Sequence, residues 1–168
     1  MLMPTPDARM VASASTRMGV ELSDRGPERV KGFIDWICQQ VPDYSGRDVV
    51  IAWSRAITRG TAGLAASQLS ARIYSETGRA VPVFLGRVDE DGVLHFQGRC
   101  VEGDMVGKIV NAIREEFKLR IAGAFGTGGA FSARPDQMPL LEARITAIAG
   151  GAEVTQTSLS EWSPPDMN

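Results

Sequence analysis

One stretch constrains this chain more than any other: Ile121–Met138, IAGAFGTGGAFSARPDQM, with glycines at 123, 126, 128 and 129 directly after a strongly helical segment. No large apolar side chain falls between 126 and 130. Glycine has no Cβ and tolerates positive φ, so such a run lets backbone N–H groups turn inward and approach a ligand closely. It serves equally well as a tight turn or a close-packing point, and the run alone leaves these readings open. Arg134 follows at a distance in sequence that would let it add a charge-assisted contact to an anion.

Composition narrows the field. At 168 residues the chain suits one domain with a real hydrophobic core, and 43% apolar with 23% charged residues is a soluble globular balance. The net charge is −2, from 18 basic against 20 acidic residues. That balance argues against gripping long duplexes through many phosphates, but it leaves room for a small basic pocket. Cys38, Cys100 and the single histidine, His95, cannot assemble a His/Cys metal site, and no cofactor is expected. Both thiols read as small core residues in a reducing cytoplasm. No apolar run is long enough to span a bilayer, and the N-terminus lacks the apolar core of a secretory signal.

The elements in front of the glycine run give it context. Residues 1–26, rich in Pro, Ser, Thr and Met, are expected to form a flexible leader. Val30, Phe33, Ile34, Ile37, Cys38 and Val41 recur at helical spacing and predict an amphipathic helix over Pro27–Val41, stopped by Pro42. Val49–Trp53, VVIAW, reads as a buried strand. A loop carrying Arg55 and Arg59 leads to a helix over Ala62–Thr77, closed by Gly78. Its first turns, Ala62, Gly63, Ala65, Ala66 and Ser67, are small. They suit either close packing on a sheet or a ligand at the positive end of the helix dipole.

Ala80–Val88 predicts the next strand, Asp89–Gly92 a hairpin turn, and Val93–Arg99 an antiparallel return. His95 is expected on the more exposed face beside Gln97, as a surface residue with no carboxylate nearby in sequence. Met105, Ile109, Ile113 and Phe117 predict a helix over Gly103–Phe117. After the glycine run come a helix over Pro139–Ala149, a terminal strand over Ala152–Trp162 and a frayed tail, 163–168. The whole predicts a mixed α/β domain over residues 27–162, with a central mixed β-sheet of about five strands flanked by helices.

That order, with these residues, resembles the C-terminal substrate-binding (DHH-associated) domain of DHH-family phosphoesterases, RecJ-like single-strand exonucleases in particular. GTAGLAASQLSARIYSETGRAVPVFLG (60–86) is similar to the family's G-x-x-G-I-V-A-S-x-L segment and following strand. FQGRC (96–100) is similar to G-S-G-R-S, whose arginine contacts substrate phosphate, and AFGTGGAFSA (124–133) to the F-G-G-G-G-H-x-x-A-A-G loop. Together they span roughly residues 48–150. GTGGAFSARPDQM also resembles the G-G-R-P-D-M segment of a related domain in alanyl-tRNA synthetases, which ranks second.

The chain departs from the family twice. Ala130 stands where the family's loop histidine reaches substrate phosphate, and there is no D-H-H triplet or cluster of Asp and His ligands for a two-metal centre. The resemblance therefore implies a nucleic-acid or nucleotide phosphate-binding module with no catalytic residues of its own. Its expected pocket is Arg99, the loop Gly126, Thr127, Gly128 and Gly129, together with Ser132 and Arg134. Expected partners are a short single-stranded nucleic acid or nucleotide, and a separate DHH catalytic subunit or another protein. The alternatives are a protein-interaction scaffold in a nuclease or replication/repair complex, or the substrate-binding half of a split phosphoesterase.

Overall fold

A stripe of Val30, Phe33, Ile34 and Ile37 drives the first helix, α1 (Gly26–Gln40), and all four side chains are buried. The structure, a computed structural model, describes residues 26–40, 44–55 and 57–151. The expected leader, the stop at Pro42, the terminal strand over Ala152–Trp162 and the tail lie outside the described residues, apart from Gly26, which opens α1.

The apolar run then forms β1 (Val50–Ser54), followed by α2 (Arg59–Thr77). Gly78 ends α2 at φ 73°, and its N–H donates to the Tyr74 carbonyl. β2 (Val83–Val88) and β3 (Leu94–Arg99) flank the expected hairpin, whose Gly92 has φ 83°. Next come α3 (Met105–Phe117), β4 (Ala122–Phe125), β5 (Gly128–Ala133) and, after a 3-10 turn over Pro135–Gln137, α4 (Met138–Ala149).

The five strands lie in the order β1-β2-β3-β5-β4. β1 and β2 run parallel, joined through the α2 crossover, and the other pairs are antiparallel. The result is the expected mixed α/β domain, with helices on both faces of one sheet.

Strand alternation sends apolar side chains to two separate cores. Val83 and Leu85 of β2 join α1 and α2 on one face, whereas Phe84 joins α3 and α4 on the other. In that second core Phe96 and Phe131 stack with centroids 4.8 Å apart, and Phe84 tilts against Phe131 at 5.7 Å. Gly98 lies beneath this cluster: a Cβ there would stand 2.5 Å from the Phe84 ring. Arg144 of α4 grips the buried Glu116 of α3 through two nitrogens, with N···O distances of 2.8–3.1 Å.

The glycine run departs from expectation. It is a β-hairpin rather than a loop: β4 and β5 pair directly, Phe125 opposite Gly128, across the two-residue turn Gly126-Thr127. Gly126 takes φ 55°, the conformation the turn needs. The two strands on the far side of β3 therefore come from this one stretch.

Candidate functional site

The site follows from what α2 leaves uncovered. α2 packs chiefly over β2 and β3 rather than over β5 and β4. On that side of the sheet the residues alternate in register: Arg87, then His95, Gln97 and Arg99 on β3, Ser132, Ala130 and Gly128 on β5, and Gly123 and Phe125 on β4. The half-open face is polar near its centre and carries an exposed Phe125 at its rim.

Arg99 lies flat on this face. Its Nη1 donates to the Gly98 carbonyl at 2.7 Å and the Gly129 carbonyl at 3.4 Å, and Nη2 donates to Gln97 Oε1 at 3.2 Å. The guanidinium also sits 5.7 Å from the centroid of the Phe125 ring. Two glycines make its place. A Cβ on Gly63 of α2 would meet Nη2 at 3.1 Å, and one on Gly128 would meet Nη1 at 3.3 Å. Among the described residues no carboxylate pairs with Arg99, so neutral oxygens orient the cation and leave its charge uncompensated.

Gly63 separates the two readings of the small-residue helix start. Ala62, Ala65 and Ala66 are buried in the first core, which is close packing. Gly63 is the one of these residues that packs against Arg99.

The other expected residues divide. Gly126 and Thr127 form the turn beside Arg99, with the Thr127 carbonyl accepting from the Cys100 N–H at 3.2 Å. Gly128 and Gly129 lie inside β5 between two ladders, so their backbone groups serve sheet pairing instead of cradling a ligand as loop amides. Ser132 shares the open face but sits four residues further along β5, about 13 Å from Gly128. Arg134 is not brought to Arg99. It follows the opposite end of β5 and pairs with Asp136 at 3.1 Å.

His95 departs from expectation in its surroundings. It does lie on the same face as Gln97, but half-buried, and a carboxylate is close: Nε2 is 2.7 Å from Asp89 Oδ2 across the hairpin. The carboxylate accepts from Nε2–H, which leaves Nδ1 to accept from the Ser132 hydroxyl at 2.7 Å in the neutral ring. The Asp89 second oxygen accepts from the amides of Asp91 and Val93, closing the turn. Led by the His95 hydrogen bond, these contacts hold the Asp89 carboxyl below its ordinary range. The D-x-x-x-x-x-H spacing across a hairpin turn was the available signal.

Ser132, His95 and Asp89 have the residue types of a hydrolytic triad, but an oxyanion needs aimed donors. The Ser132 amide is spent on the Ile121 carbonyl at 2.9 Å. The chain of bonds braces the hairpin against β5. Beside it a cleft of about 120 Å³ is lined by Ala62, Arg87, His95, Gln97, Ile121, Ala130 and Ser132, among others. Ala130, opposite Gln97, forms part of its lining.

The fold is shared with part of the exonuclease RecJ. A structure of exonuclease RecJ bound to manganese matches 80% of this chain at a TM-score of 0.55 and 20% identity. RecJ from Thermus thermophilus, in complex with Mg2+, matches 80% at 0.56 and 21%. The chain spans 31% of the first protein and 19% of the second. No family model matches the chain, and no curated protein matches it by sequence.

RecJ carries manganese or Mg2+ in those structures. Among the described residues here, no three His, Cys, Asp or Glu side chains gather to hold a metal ion. The residues described do not fit such a group, and no metal-dependent step is assigned to them. Nor is any helix among them long and apolar enough to cross a membrane.

Proposed function

We propose that the chain is a phosphate-binding module for single-stranded nucleic acid or nucleotides, related to the DHH-associated substrate-binding domain of RecJ-like enzymes. The observation that carries this reading is Arg99: a half-buried guanidinium oriented by neutral oxygens, on an open sheet face, with no carboxylate partner among the described residues. A phosphate placed over Arg99, beside the Gly126-Thr127 turn, would complete its charge. The RecJ-like fold supports the same reading.

Binding of this kind uses few phosphates, which suits a chain of net charge −2. The module captures and positions the strand, and the cleaving carboxylates and metals are supplied elsewhere, by a separate DHH catalytic partner. Cys38 and Cys100, both free thiols, suit the cytoplasm as its compartment.

The scaffold reading loses one of its supports. The small residues Ala62, Gly63, Ala65 and Ala66 of α2, which could have offered a close-packing surface to another chain, are spent on the protein's own core and on Arg99. Titrating labelled single-stranded DNA, RNA and mononucleotide at two salt concentrations tests the proposal. Salt-sensitive binding of at least one ligand is expected. Failure to bind any of them, together with a stable complex with a nuclease partner, would decide for the scaffold.

A further inference from the structure

Ile121 and Phe125 are the most exposed large apolar side chains among the described residues, at 63% and 66%. Both belong to the outermost strand and its approach. The Ile121 carbonyl pairs with Ser132, Gly123 pairs with Ala130 and Phe125 with Gly128, so all three share the open face. Ile121 accordingly lines the cleft with Ala130 and Ser132. Gly123 stands between the two, and a Cβ added to it would meet nothing within 4 Å. The edge strand thus presents an apolar wall, a gap floored by glycine, and an aromatic wall.

The surroundings identify an occupant. The Phe125 ring has the Arg99 guanidinium 5.7 Å from its centroid, while Arg87, His95 and Gln97 line the cleft at the Ile121 end of the same face. An exposed aromatic ring beside a cation that lacks an anionic partner is how proteins hold single strands: the base stacks and the phosphate meets the charge. A duplex keeps its bases stacked on one another and offers none to such a ring.

We infer that Phe125, beside the gap at Gly123, is a stacking site for a nucleobase, so that the ligand of this face is an unpaired strand read through one base and its phosphate. This deepens the Arg99 proposal and rests on it. Gly123 keeps the gap open.

The test uses two ligands, a short fluorescein-labelled oligothymidylate and the same sugar-phosphate chain with abasic sites. Phe125→Ala alters an exposed side chain, so folding is retained, and circular dichroism checks it. The variant should bind the base-bearing strand about 5- to 150-fold more weakly and the abasic strand as the wild type does. Phe125→Trp should restore base-bearing affinity and show quenched indole fluorescence on binding, and Gly123→Val should repeat the Phe125→Ala loss by filling the gap. Arg99→Ala, in contrast, should weaken both ligands.

Equal losses for both ligands in Phe125→Ala would reduce Phe125 to a support for Arg99 and overturn the inference while sparing the phosphate reading. Unchanged affinities, with wild-type protein that self-associates and a variant that does not, would make the patch a protein contact and also overturn it. A wild-type protein that binds neither ligand would remove the phosphate reading and this inference together.

Discussion

Arg99 lies where it does because two neighbours lack side chains. Gly63 and Gly128 leave the space its guanidinium fills, with a virtual Cβ 3.1 and 3.3 Å away. Gly63 is therefore costly to α2 by propensity, because glycine in a helix interior is about 1 kcal/mol worse than alanine. Gly63→Ala should raise the midpoint of thermal or urea unfolding while lowering affinity for a short single strand, as the methyl group pushes the flexible guanidinium aside. A variant both more stable and equally tight would show that the placement of Arg99 does not matter.

Asp89 supplies a second residue-scale test. Its folded pKa is depressed, so the stability it contributes is present above the unfolded carboxylate value, about 3.9, and is lost as pH falls through the lower folded value. Asp89→Asn should therefore be less stable than wild type near neutral pH, with the gap closing in acid below the carboxylate range. A gap that persists there would detach the effect from the carboxylate's charge. The sequence pointed to Arg99 through the resemblance of FQGRC (96–100) to the family's G-S-G-R-S, but not to the Asp89–His95–Ser132 chain. That chain joins the two sides of one hairpin to a distant strand, and only strand order reveals the third member.

At the scale of elements, the helices and the strands β1 to β3 were the readable part. The stripe at 30, 33, 34 and 37 fixed α1 to within a residue at its start, and the row at 105, 109, 113 and 117 fixed α3, because a buried helical face repeats at 3.6 residues regardless of its neighbours. The glycine run was unreadable as a hairpin because glycine has poor strand propensity of its own. Its pairing with β3 on one side and the Phe96–Phe131 stack beneath hold β5 as a strand nonetheless. Glycine is required on this sheet for packing. Gly98→Ala would thrust a Cβ to 2.5 Å from the Phe84 ring and should cost about 1–3 kcal/mol in denaturant unfolding. Arg144→Ala should cost about 3 kcal/mol by the same measurement, because it takes the guanidinium from the buried Glu116 and unties α4 from α3. Losses well under 1 kcal/mol would make these contacts incidental.

For the whole molecule, the sheet divides two cores that have different weak points. The first is closed by Tyr44, whose hydroxyl donates to Glu76 at 3.0 Å and whose ring lies under Arg72. Burial first, and then the Glu76 hydrogen bond, push the Tyr44 pKa up to about 12. Because the folded value is raised, this stability is present below the unfolded value near 10 and falls away as pH rises towards about 12. Thermal unfolding of Tyr44→Phe should lack that alkaline decline. Strand order and the open half of the sheet were not legible in the chain, since both depend on how far α2 reaches across strands that are distant in sequence. It is this arrangement that leaves Arg99 uncovered. The central claim, that this face holds a single strand, is tested most directly by mapping amide chemical shifts of the full chain on addition of a short oligothymidylate. The expected result is a contiguous set of shifts at Arg99, Phe125, Gly126, Thr127 and Gly63. Shifts confined to the opposite end of the sheet, around Trp53, Val88 and Met138, or no shifts at saturating ligand, would contradict it.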